Sequence, residues 1–207
     1  MIDNLIIEAD KILKTLTNAA ISKRPHPDAN IDETMPLSVH ETKHSLGLMR
    51  VNHCGEVCAQ ALYQGQALTS RDKSKRIAFE NAAFEELEHL AWTKQRINEL
   101  GGQPSILNPL FYFASLSIGV LAGSVGDKWN LGFLEETEHQ VGNHLESHLH
   151  ELPQNDTKSL AIVQQMKIDE NKHEEMARNS GAASLPAPIK KLMALSSKIM
   201  TKITYFI

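Results

Sequence analysis

Residues 84–92 read FEELEHLAW and residues 169–177 read DENKHEEMA. In each, a Glu and a His stand three apart, Glu86 with His89 and Glu170 with His173. On a helix that spacing sends both side chains out of one face. A single pair in a charged helix is commonplace and reads as a solvated face. Two pairs in separate long helices match a bundle that holds two metal ions, in which each of the other two helices adds a lone Glu.

Working outward from the motifs, four stretches read as long helices. The first runs from about Leu46 to Leu68 and is broken by Ser70, Arg71 and Asp72. The second, Ser74 to Leu100, ends at Gly101-Gly102; the third runs from Trp129 to about Leu152, before Pro153. The fourth, Asp156 to Ser180, ends at Gly181. Gly just past a helix and Pro shortly after one are stop signals. No long period-two alternation intervenes, so the fold class is all-α, a four-helix bundle.

The first of these helices offers Glu56, its only acid between Glu41 and Asp72. A carboxylate alone among small and apolar side chains costs several kcal/mol to bury unless it is paired or binds metal. The third offers Glu135, Glu136 and Glu138. Thirty residues separate Glu56 from Glu86 and thirty-two separate Glu138 from Glu170, so Glu138 fits a repeated half-site best, with Glu135 one turn earlier as the alternative. The expected metal set is Glu56, Glu86, His89, Glu138, Glu170 and His173. By symmetry Glu86 and Glu170 bridge two metals, and Glu56 with His89 and Glu138 with His173 are terminal. Four carboxylates balance two divalent cations, and mixed carboxylate and imidazole ligation suits iron or manganese. His144, six residues after Glu138, is placed to act behind the ligands or beside them. Cys54 and Cys58 next to His53 lack a clear fourth ligand for a structural zinc and read as thiols packed between helices.

Three further segments surround this bundle. Asn4 to Ala20 shows helical spacing with one apolar face, and residues 22–36, SKRPHPDANIDETMP, read as a linker or irregular wrap. Leu100 to Gly126 carries no charge; its clean apolar run, Leu110 to Val125, falls short of the ~20 residues that cross a bilayer and reads as a buried core helix or an interfacial segment. After Pro186 there is no acid. Ile189, Leu192, Met193, Ile199, Met200, Ile203 and Ile207 share one helical arc, opposite Lys190, Lys191, Lys198 and Lys202. That is the pattern of a helix in the membrane interface. The expected organisation is residues 1–45, an N-terminal helix and linker; 46–185, the bundle with apolar segment 103–126; and 186–207, an amphipathic interface helix.

The chain has 207 residues with 21 Lys+Arg against 25 Asp+Glu, a net charge of −4, which fits one domain and not a basic nucleic-acid binder. Two cysteines make no disulfide framework, and the acidic N-terminus resembles neither a secretory nor a mitochondrial leader. Both observations lead us to expect a bacterial cytoplasmic product.

The runs LMRVNHCGEVCAQALYQGQAL, FEELEHLAW, EETEHQVGNHL and DENKHEEMA together resemble the demethoxyubiquinone hydroxylase family of ubiquinone biosynthesis, over nearly the whole chain. The resemblance implies a ferritin-like di-iron bundle, with the ligands on the six residues above and a further role, behind the metals or on the substrate side, for His144. It implies a monooxygenase that inserts one oxygen atom of O2 into the ring of a polyprenyl demethoxyubiquinol, with Glu86 and Glu170 at the reacting centre and reductant from outside. The implied location is the cytoplasmic side of the bacterial cell membrane, as a peripheral protein, with the quinol, the membrane surface, other ubiquinone-biosynthesis proteins and a second copy of the chain as partners. Cys54 and Cys58 depart from the small residues usual in the family, and Leu145 from a Tyr found in some members. A ferritin-like iron-binding or peroxide-handling protein with no organic substrate is the alternative.

Overall fold

The computed structural model describes residues 2–17, 19–33 and 35–207. Among the described residues there are seven helices and no strand: α1 (Ile2–Leu16), α2 (Val39–Thr69), α3 (Lys73–Glu99), α4 (Asn108–Val125), α5 (Asp127–Glu151), α6 (Thr157–Asn179) and α7 (Ala187–Thr204). The bundle is made of α2, α3, α5 and α6. Helix α2 packs along α3, and α5 along α6, and the two pairs meet through α3 against α6 and α2 against α5. Helix α4 is the single long crossover, the connection that ferritin-like bundles use. Two apolar clusters cap the bundle interior. One holds Met49, Trp92, Ile97, Leu145, Ile162 and Met166; the other holds Tyr63, Phe79, Leu131, Leu134 and Ala177. Along each bundle helix the expected metal-binding Glu falls between residues of the two clusters.

The helix ends follow their caps. Asp72 and Asp156 accept hydrogen bonds from the first turns of α3 and α6, and Gly101 and Gly181, in the left-handed region at φ 76° and 91°, follow their last turns. The expected first bundle helix starts seven residues early, at Val39. Ser38 and Glu41 form a capping box there, which stabilises two polar turns that carry no apolar stripe. Helix α2 shows no amphipathic face because it is surrounded: α1, α3, α4, α5 and α7 all pack on it.

The apolar run forms α4, an 18-residue helix only 22% buried, so it is not a core helix. It lies on the outside of α2, with Leu110, Phe113, Leu121 and Val125 exposed. A glycine seam sets the approach. A Cβ on Gly65 would lie 2.5 Å from the Leu116 carbonyl oxygen and 2.6 Å from the Val120 nitrogen, and one on Gly119 would collide with the Leu62 carbonyl. Helix α7 lies on α2 and α5 and is anchored at its end by Tyr205, whose hydroxyl is 2.7 Å from His44 Nδ1 and whose carbonyl accepts from Arg50 at 3.0 Å. Leu192, Leu195 and Ile199 remain exposed, as do Lys191, Lys198 and Lys202. Lys190 instead pairs with Glu136 at 2.5 Å.

Part of the linker is a strap. The Glu88 carboxylate accepts from the Ser22 hydroxyl and from the backbone N–H of Lys23 (2.9 Å) and Arg24 (3.2 Å). Trp92 Nε1 donates to Ser22 Oγ at 3.0 Å, and Arg24 stacks over the Trp92 ring. Further along, Glu33 pairs with buried Arg96 at 2.5 Å, which also binds Asp156 at 2.7 Å.

The seam makes a paired prediction. Gly65→Ala must push α4 away and is expected to destabilise the fold by about 1–3 kcal/mol. Gly55→Ala, on the same helix with nothing within 4 Å of its added Cβ, is expected to be neutral or to stabilise by up to about 1 kcal/mol. Chemical denaturation of both variants checks the ordering.

Candidate metal centre

The six expected residues meet in the middle of the bundle, none more than 6% exposed. They form two overlapping groups: Glu56, Glu86, His89 and Glu170, and Glu86, Glu138, Glu170 and His173, with one donor atom from each residue within 4.8 Å of the others. Glu86 and Glu170 belong to both. His89 Nδ1 lies 3.2 Å from Glu86, 3.4 Å from Glu56 and 3.2 Å from Glu170. His173 Nδ1 lies 3.1 Å from Glu170 and 3.7 Å from Glu86. The alternative, Glu135, is turned away and pairs with Arg178 at 2.8 Å.

The far nitrogen of each imidazole is held by an acid that sequence reasoning passed over. His89 Nε2 faces Asp169 at 3.4 Å, and His173 Nε2 faces Glu85 at 3.1 Å. The pattern is reciprocal, since the acid just before each motif Glu orients the His of the other motif. A visible signal existed in Glu85-Glu86 and Asp169-Glu170, where an acid precedes the Glu in both motifs. Asp169 is in turn held by Arg24 and Lys172, both at 2.9 Å, so the strap reaches the centre through one side chain. Such outer partners fix the ring and leave Nδ1 to face inward.

The electrostatics are those of a site built for cations. Burial, reinforced by the charge of Glu86, holds the Glu56 carboxyl well above the usual range. Burial and then Glu170 do the same to Glu138. For Glu170 burial also works upward, but hydrogen bonds from His173 and His89 overcome it and hold the carboxyl low. Burial works against the charged form of His173, and Glu170 and Glu85 reverse it, raising the ring to about 11. His89 is raised likewise, by Asp169 and the three carboxylates it faces. Protons therefore hold this cluster together where cations are absent. Glu86 Oε1 and Glu138 Oε1 are buried with no hydrogen-bond partner among the described residues, and Glu170 Oε1 has only the His89 Nδ1 contact at 3.2 Å. A buried carboxylate oxygen left unpaired is costly, and a metal ion between the two groups satisfies all three. The donor set, oxygen-rich with two imidazole nitrogens, fits a pair of divalent transition metals.

Beside the cluster lies a cavity of about 340 Å³ walled by α2, α4, α5 and α7. Glu56 lines it, which makes this carboxylate common to cavity and cluster. Leu62, Ile118, Phe133, Met193 and Met200 make its walls apolar. Asn52 on α2 and His144 on α5 both line it, and among the described residues Asn52 Oδ1 and His144 Nε2 are buried without a hydrogen-bond partner. Among the described residues no hydrogen bond links His144 to the six cluster residues; its ring lies 4.0 Å from that of His148 and it faces the cavity. Cys54 is fully buried, as expected of a packed thiol, whereas Cys58, expected to be packed likewise, lines the cavity and is partly accessible.

Loading divalent metal must displace the protons on His89, His173, Glu56 and Glu138. Calorimetric titration with Co²⁺ at pH 7, repeated in buffers of different ionisation enthalpy, is expected to show net proton release per metal bound. Asp169→Asn is expected to weaken metal binding by about 10–100-fold with the ligands intact. A buffer-independent heat would refute the assignment.

The sequence matches the family described as "Ubiquinone biosynthesis protein COQ7" over residues 43–204. It is 64% identical over 205 residues, 99% of each chain, to the 3-demethoxyubiquinol 3-hydroxylase of Chromobacterium violaceum. It is 59% identical over 207 residues, the full length of both chains, to that of Laribacter hongkongensis, and 55% over 203 residues, 98% of each, to that of Dechloromonas aromatica. With a buried Glu/His cluster in an all-helical bundle and the match running through every helix of that bundle, the chain belongs to the COQ7 family of ubiquinone-biosynthesis proteins.

Proposed function

We propose that the protein is a di-iron monooxygenase that inserts one atom of O2 into the ring of a polyprenyl demethoxyubiquinol, working as a peripheral protein on the cytoplasmic face of a bacterial membrane. The observation that carries this reading is the position of Glu56. It belongs to the metal cluster and lines an apolar cavity large enough for a substituted ring. Iron, when bound by Glu56, Glu86, His89, Glu138, Glu170 and His173, supplies the redox chemistry toward O2. The relatives' printed name, 3-demethoxyubiquinol 3-hydroxylase, agrees in substrate and reaction.

The chain's own residues have separable tasks. Asn52 Oδ1 and His144 Nε2 offer hydrogen-bond partners for ring hydroxyls from two walls. A ligand that satisfies both is favoured, because each buried atom otherwise lacks a partner. Leu62, Phe133 and Met193 exclude water from the ring. Glu86 and Glu170 belong to both ligand groups and would be the residues that two bound metals share. The cavity walls α4 and α7 also carry the exposed apolar residues Leu110, Phe113, Leu192 and Leu195. A substrate with an isoprenoid tail therefore reaches the ring site through the elements suited to lipid. A ferritin-like iron store has no use for such a cavity.

Iron-loaded protein in lipid, given demethoxy-quinol, a reductant and isotopically labelled O2, is expected to yield a product heavier by one labelled oxygen. Glu170→Ala is expected to abolish it along with metal loading. No labelled product from a sample with both irons bound would overturn the reading. Membrane attachment has its own test: Leu192→Glu with Leu195→Glu is expected to reduce co-flotation with anionic vesicles by about tenfold or more, since each change removes roughly 1.5–3 kcal/mol of apolar burial.

A further inference from the structure

The cavity wall carries a nucleophile that hydroxylation does not use. Cys58 lines the cavity on the same helix as Glu56 and Asn52, and it is partly accessible. Cys54 stands one turn earlier on the same helix, and Ser115 of α4 lines the cavity together with Cys58. Asn52 Oδ1, 3% exposed as a residue and without a partner, lines the same space and marks it as built for a polar ligand. Cys54 is the only other cysteine and is fully buried.

We propose that Cys58 is a covalent modification site for oxidised para-quinones that carry an unsubstituted ring carbon. The inference rests on the reading that the cavity receives the ring of a quinol. Hydroxylation replaces a ring C–H by C–OH, so the substrate has a ring carbon that bears only hydrogen. In the quinol that carbon is electron-rich and does not accept a thiol. In the oxidised substrate it is the electrophilic end of an enone. The sulfur of Cys58 forms a C–S bond there, and its S–H proton goes to one ring carbonyl oxygen. The ring C–H proton then moves to the other carbonyl oxygen. The product is a thioether-substituted quinol, in which the ring has gained two electrons from the sulfur and no other oxidant or reductant takes part. Once the ring carbon is substituted this route is closed, so the finished quinone is a poor partner. The consequence is a cavity that turns over reduced substrate but is blocked by the same molecule once oxidised.

The test uses the full chain in detergent, toluquinone (methyl-para-benzoquinone) as probe, and intact mass with peptide mapping as readout. The expected result is a mass gain of one toluquinone, located on Cys58. Toluquinol under anaerobic reducing conditions, and the fully substituted duroquinone, are expected to add nothing. Cys58→Ala is expected to lower labelling by at least about tenfold, whereas Cys54→Ala retains it. Equal labelling of Cys58→Ala, adducts on Cys54 or lysines instead, or an unmodified native chain whose unfolded form takes up the probe would each overturn the proposal. The reaction needs neither iron nor O2. An adduct without labelled product in the hydroxylation experiment would count against the hydroxylase alone, and labelled product without an adduct against this inference alone.

Discussion

Four carboxylates in the interior of one helical bundle are the constraint on which the rest of this structure depends. Each buried charge costs several kcal/mol unless compensated, and Glu56, Glu86, Glu138 and Glu170 sit close enough to repel one another as well. The compensation is layered. Two imidazoles stand among the carboxylates, an acid behind each imidazole fixes its ring, and Arg24 and Lys172 neutralise one of those acids. Each imidazole and the acid behind it come from opposite members of the α3–α6 pair, so the charge cluster specifies the register of α3 against α6. It also explains why an irregular linker is clamped at Glu88 and Arg24: a loose strap would leave Asp169 with Lys172 as its remaining cation.

Helix α2 is where the carboxylate cluster meets the cavity. One face supplies Glu56 to the cluster, and the cavity side carries Asn52, Gly55, Cys58 and Leu62. Gly65, two turns beyond Cys58, receives α4 at backbone contact. A helix so enclosed cannot be amphipathic, and its small residues are the means by which α4 and α2 come close enough to wall a narrow cavity. The same closeness leaves the outer side chains of α4 without protein partners, which gives the molecule an apolar exterior beside the cavity.

The sequence made the metal centre legible because ligation imposes spacing. Two Glu-x-x-His motifs and a lone acid in an apolar helix named five of the six cluster residues, and the near-equal separations selected Glu138 over Glu135. What stayed hidden depends on long-range packing. Composition does not separate a core helix from one laid on the outside, and only the contacts of Gly65 and Gly119 place α4. The start of α2 was written in Ser38 and Glu41, but hydrophobic periodicity does not register a polar, capped turn. On α7, Leu192 and Met193 share one arc of the helical wheel, yet Leu192 is exposed and Met193 lines the cavity, because the helix meets protein along one edge of that arc. Asp169 and Glu85 were passed over because their role requires knowing which helix faces which.

The adjacency of cavity and cluster through Glu56 limits how the site can be altered. A cluster residue that is also a wall couples cavity to cluster: a change at Asn52 or Gly55 alters the cavity wall alone, whereas any shift of α2 along its axis moves both. The glycine seam resists that shift, since sliding α4 past α2 brings Gly119 or Gly65 against side chains instead of backbone. Tyr205 opposes it from the other end, with its ring over Gly47 and its hydroxyl on His44. The outer helices therefore wall the cavity and fasten α2, which keeps the cavity in register with the carboxylate cluster.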